Sequence, residues 1–158
     1  MSRAIPDGFT AITPHLVVSD GAQAIEFYQR AFGAETLEVH RSPDGQTVMH
    51  ARLRIGNALV LLAGEYPPNC LSPKSRGGAS VFLHYYTEDV DAAFARAVQA
   101  GCAARMPVTD MFWGDRYGQV EDPFGHPWAI ATHRQDLTPE QVDANARVFF
   151  AKECADHQ

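Results

Sequence analysis

Two histidines stand at matching places in this chain. His15 precedes Asp20 by five residues, His84 precedes Asp89 by five, and both pairs are separated by the same offset of 69 residues. An imidazole can ligate a metal, move a proton or read a polar ligand. A second concentration of chemistry runs from Asp110 to His133, DMFWGDRYGQVEDPFGHPWAIATH. It sets Phe112, Trp113, Tyr117, Phe124 and Trp128 among Asp115, Arg116, His126 and His133. Aromatic faces hold flat ligands by stacking. A guanidinium between two such rings can meet an anionic or carbonyl group. Read singly, each aromatic is hydrophobic core at a hairpin, and Asp115 with Arg116 is a surface ion pair. Read together, Trp113, Arg116 and Tyr117 form a pocket wall. His126, in a turn, reads as a surface or capping residue. No GxSxG, P-loop or strand-borne GxGxxG accompanies these residues.

The elements that must position these groups follow from period and punctuation. Residues 12–18 (ITPHLVV) read as a strand, and Asp20 caps a helix with Gln23 in the capping-box position. Ile25, Tyr28 and Phe32 mark its inner face, and Gly33 stops it. Residues 35–40, 48–55 and 58–63 read as three further strands. In the middle one, Val48, His50, Arg52 and Arg54 alternate with Met49, Ala51, Leu53 and Ile55. Residues 66–78 (YPPNCLSPKSRGG) form a Pro- and Gly-rich linker. The order then starts again: a strand over 80–86, a helix capped by Asp89 and stopped by Gly101, a short strand over 103–106, and a hairpin. Asp122-Pro123-Phe124-Gly125 supplies type I turn chemistry for that hairpin. The chain therefore reads as α+β, two βαβββ modules over 11–65 and 79–133. A repeat of this length present only twice points to duplication of one unit. A last helix over 138–153 opens on Thr138-Pro139-Glu140-Gln141, a capping box, and turns Val142, Ala146, Phe149 and Phe150 to one side.

Composition narrows the partners. The chain has 158 residues, 46% of them hydrophobic, which suits one folded domain. A net charge of −6 speaks against nucleic acid and against an anionic membrane surface. The first residues carry no apolar signal core, and no run approaches the ~18 apolar residues of a membrane span. Cys70, Cys102 and Cys154 are odd in number and form no CxxC, so free thiols in a reducing compartment are expected. A cytoplasmic protein is the expectation.

Two βαβββ modules, an Asp-capped first helix in each, Trp113-Gly114-Asp115-Arg116 and Asp122-Pro123-Phe124-Gly125-His126 resemble the glyoxalase/bleomycin-resistance/extradiol-dioxygenase superfamily, the vicinal oxygen chelate fold. The resemblance covers 12–133 and is nearest to its PhnB-like and bleomycin-resistance-like branches. It implies two half-barrels with helices outside and a cleft for a substrate and often a divalent metal. It also implies a homodimer, since that superfamily commonly pairs modules across chains, and the Phe149-Phe150 face needs cover. The implied ligand positions fall on Thr13, Leu61, Phe82 and Ala129. None of these is a usual ligand for zinc, nickel, iron or manganese.

Two readings of the cleft follow. In the favoured one no metal or other cofactor is held, and a small organic molecule is bound by His15, Phe82 and His84, with Trp113, Arg116 and Tyr117 at the rim. Strand alternation supports it, because Leu16, Val18, Leu83 and Tyr85 then pack under the helices. Trp128, of opposite parity to Ala129, goes to the core. In the alternative, His15, Glu65, His84 and His133 form a displaced metal site for a lyase, isomerase or dioxygenase. A third reading is a structural dimer with a vestigial cleft.

Overall fold

The computed structural model describes residues 3–156, with side chains as far as Lys152, so the Cys154 thiol lies outside the described residues. The first module runs β1 (His15–Val18), α1 (Gly21–Phe32), β2 (Glu35–Arg41), β3 (Val48–Ile55) and β4 (Ala58–Gly64). A short helix, α2 (Pro73–Arg76), interrupts the segment between modules. The second module runs β5 (Leu83–Tyr86), α3 (Val90–Ala100), β6 (Ala103–Asp110), β7 (Asp115–Glu121) and β8 (Pro127–His133), and α4 (Pro139–Asp156) closes the chain.

Each module makes a four-stranded sheet, in the order β1-β4-β3-β2 and β5-β8-β7-β6. The outer strand pairs in parallel with the last one, which places His15 beside Leu61 and His84 beside Ala129. Helices α1 and α3 start alike: the Asp20 carboxylate accepts from Gln23 N, and that of Asp89 from Ala92 N, each at 3.0 Å. Such caps satisfy backbone donors that the helix itself leaves free.

Several boundaries differ from expectation. β1 and β5 begin three residues late, because Pro14 has no N–H to give a ladder and Ile12, Val81 and Phe82 stand exposed. β6 extends to Asp110 rather than 106. In β3 one extra residue breaks the register, His40 pairing with His50 but Arg41 with Val48. The bulge turns Val48 inward and leaves Met49 out in solvent.

The core lies where the modules meet. Helices α1 and α3 pack together, and the Arg96 guanidinium donates to the Ala31 carbonyl at 2.9 Å. Phe27, Tyr28 and Phe32 of α1 meet Phe124 and Trp128 of the second module, with Trp128 stacked on Phe32 at 4.2 Å. Asp122 anchors this junction from inside. It is 3% exposed and accepts from Tyr28 OH, Trp128 Nε1 and the backbone N–H groups of Phe124 and His126. Buried carboxylates require such partners. This arrangement corrects the expectation of helices outside a single cleft. Helices α1 and α3 lie between the sheets, and each sheet keeps its other face open.

Candidate functional site

Strand alternation decides which side chains reach an open face. On the second sheet, β8 runs between β5 and β7. Ladder partners share a face, so His84 and Tyr86 of β5 stand with Ala129 and Ala131 of β8 and with Tyr117 and Gln119 of β7. The alanines are buried beneath larger neighbours. His84 lies 4.6 Å from Tyr86 and 5.8 Å from Tyr117, and Tyr117 meets Trp113 edge-on at 5.4 Å. The result is a platform of rings. Gln119 Nε2 donates to Tyr117 OH at 2.9 Å, which leaves the phenol proton available to an acceptor above the platform.

Asp115 holds the platform at one end. Its carboxylate, 4% exposed, accepts from Tyr86 OH at 2.8 Å, Trp113 Nε1 at 3.1 Å and His133 Nδ1 at 2.8 Å. Burial pushes its pKa up, but the hydrogen bonds from His133, Tyr86 and Trp113 outweigh burial and hold the carboxyl below its usual range. The other His133 nitrogen meets Asp136 at 2.9 Å. Two carboxylates face the two ring nitrogens, Asp136 having the larger effect, and they raise the imidazole pKa. Beyond Trp113 the rings continue through Phe112 at 4.9 Å to Phe149 and Phe150 of α4.

The sequence-selected residues do not all meet. Trp113, Tyr117 and His84 share the platform. Phe82, just ahead of β5, lines a hollow of about 510 Å3 at the far end of the same face, with Lys74, Arg105 and Gln119. His15 stands on the first sheet instead, 6.0 Å from His50, and burial, then His50, lowers its pKa. His15 and His84 thus stand on different sheets. Arg116 faces away from Tyr117, toward α3, where Asp91 takes its Nε and NH2 at 2.8 Å and Asp110 its NH1 at 3.3 Å. The rim role for Arg116 is thereby corrected: adjacent strand residues point to opposite faces, and Asp115 takes the place on the open side. Strict alternation from Tyr117 was the signal that would have found Asp115.

The positions the resemblance implies do not suit a metal. Leu61 and Ala129 offer no donor, Phe82 none, and Thr13 lies ahead of β1 with its hydroxyl on the Thr10 carbonyl. The displaced set is not assembled either. Glu65 takes the Ser72 N–H at 2.7 Å at the start of α2, His133 sits between two carboxylates, and His15 and His84 are on different sheets. Among the described residues no three His, Cys, Asp or Glu side chains form a metal-binding group.

Comparison with known proteins agrees with this architecture. The Glyoxalase/Bleomycin resistance protein/Dioxygenase superfamily matches residues 9–130. An uncharacterized protein of Mycobacterium tuberculosis is 42% identical over 138 residues, spanning 85% of this chain and 81% of that protein. The crystal structure of TioX from Micromonospora sp. ML1 superposes with a TM-score of 0.62 at 28% identity, covering 79% of this chain and 99% of TioX. The X-ray structure of an Arabidopsis thaliana gene product gives 0.62 at 29%, covering 78% and 98%. No helix among the described residues is long and apolar enough to cross a membrane. From its duplicated βαβββ architecture and the match over 9–130, the chain belongs to the Glyoxalase/Bleomycin resistance protein/Dioxygenase superfamily.

Proposed function

We propose that this protein binds a flat small organic molecule on the ring platform of its second sheet, without a metal at the superfamily's usual positions. The observation that carries this reading is the set His84, Tyr86, Tyr117 and Trp113, held by Asp115 and backed by alanines. Such rings give stacking area, and the free Tyr117 proton and the Gln119 carbonyl give orientation. A ligand carrying a carbonyl or ether oxygen suits the phenol donor.

The binding unit is a cytoplasmic homodimer in this reading. The open face of the first sheet carries His15, His50, Arg52 and Arg54, the two arginines paired there with Glu38 and Glu35, while the second presents the rings held by Asp115. Placing one chain's first sheet over its partner's second would roof the platform. Phe150, Val148 and Phe82, all exposed in the single chain, support association as well.

The test uses the two tryptophans. In a Trp128→Phe background, Trp113 alone reports, and its fluorescence is titrated with a panel of planar aromatic carbonyl compounds. Saturable quenching with a raised unfolding temperature is expected, and Trp113→Ala should weaken binding at least ~10-fold, ~1.4 kcal/mol. If no panel member binds, or if Trp113→Ala binds as well as its parent, the platform is not the site.

A further inference from the structure

A second hollow, of about 360 Å3, lies along the outer edge of β1, between that edge and the approach to β5. It is separate from the ring platform, and only His15 of the sequence-selected residues reaches it. Its walls are apolar, from Leu71 and Pro73 of the linker to Val81 and Leu83 of the second module. Among the described residues no carboxylate lines it, whereas Arg76, His126 and His15 do. Arg76 makes no ion pair among the described residues. His126 Nε2 lies 3.0 Å from the Val17 carbonyl, an acceptor only, so that nitrogen carries a proton and Nδ1 is left over. The same contact shows that the Val17 peptide groups point away from β4, into the hollow, because both polar groups of a strand residue face one side.

We propose that this hollow binds a small monocarboxylate with an apolar body. Its carboxylate sits on Arg76, within reach of His126, and its body lies between Leu71, Val81 and Leu83. A guanidinium without a partner pairs with a carboxylate in two parallel hydrogen bonds. The apolar walls reject a fully hydrated inorganic anion, which would lose its water without recompense. The absence of any facing carboxylate rejects amines. A bound occupant touches β1, the linker and the start of β5 at once, so it ties the two modules together.

The experiment titrates the full chain with octanoate, octanol, octylammonium and inorganic phosphate, read by calorimetry and by His126 ring shifts in NMR. Octanoate should bind saturably and raise the unfolding temperature. Octanol and octylammonium should be at least ~10-fold weaker, ~1.4 kcal/mol, and phosphate weaker still. Arg76→Met keeps the apolar stem, so it should lose octanoate while leaving the weak octanol signal unchanged. Val81→Glu, at an exposed position, should abolish octanoate binding in a folded protein. Trp113→Ala should bind octanoate as the wild type does, which separates this site from the platform. Equal binding of octanoate and octanol would overturn the proposal, and so would phosphate matching octanoate. Full affinity in Arg76→Met, or octanoate lost as the chain self-associates, would overturn it too.

Discussion

Asp115 gathers three donors from three places in the chain: Tyr86 of β5, Trp113 of the turn before β7 and His133 of β8. Removing its charge should therefore act on all three. In Asp115→Asn, the His133 pKa should fall toward its ordinary 6.5 but not reach it, since Asp136 remains. NMR titration of the ring measures this directly, and an unchanged value would show that Asp115 is not the partner. His133 also makes a statement about pH. Its folded pKa is raised, so its stabilisation is fully present below the unfolded value near 6.5 and fades as pH climbs through the folded one. Wild type should thus lose stability relative to His133→Gln from about pH 6.5 upward. The carboxyl of Asp115 acts in the opposite direction, its contribution fading as pH falls below the ordinary carboxylate range. Denaturant midpoints at pH 6 and pH 9 compare the two variants.

At the level of elements, the two tryptophans separate core from platform. Trp128 lies 3% exposed, stacked on Phe32 and donating to Asp122, as its strand parity required. Trp128→Ala should cost ~3–5 kcal/mol of stability, the range for large aromatic truncations. Trp113 is half-buried at the turn between β6 and β7, so Trp113→Ala should leave the melt much closer to wild type. Equal losses would place Trp113 in the core. The turn itself is closely fitted. Gly114 has φ +100, and a Cβ there would stand 2.4 Å from the Gln135 carbonyl oxygen. Gly114→Ala should destabilise by more than the ~1–3 kcal/mol of backbone strain alone, and it should disturb Trp113 fluorescence. These local features were legible in part. Caps, turns and alternation are written in neighbouring residues, which is why Asp20, Asp89 and Asp122 could be placed. Arg116 was misplaced because Trp113 and Tyr117 suggested proximity, whereas alternation on β7 sends it to α3. The bulge at Met49 escaped notice because an extra residue in a ladder leaves no mark on a single strand's pattern.

Over the whole molecule, the βαβββ repeat could be read from offsets, but the relation of one module to the other could not. Helix faces announce that they are buried, without saying against what. Here α1 and α3 bury against each other, and the two open sheet faces are left apart. His15 and His84 therefore share a sequence position but not a cavity of one chain. Light scattering at micromolar concentration should give twice the chain mass of 17.4 kDa. A monomer would mean that each open face works alone. Strand boundaries erred at β1 and β5 for a local reason: Pro14 takes the Leu61 N–H on its carbonyl but has no N–H of its own to extend the ladder, and Val81 and Phe82 stand exposed.

The Tyr28 hydroxyl, on one half of the chain, finds its buried acceptor in Asp122 on the other, and Phe32 stacks on Trp128 across the same seam. Neither half closes its own interior. A chain cut between Gly77 and Gly78 should accordingly yield two fragments that are insoluble apart and reassemble when mixed. The same fact bears on ancestry. Before the duplication recorded in the 69-residue offset, a single half of this kind would have exposed its helix face to water. Joining the two halves in one chain makes the burial of that face independent of protein concentration.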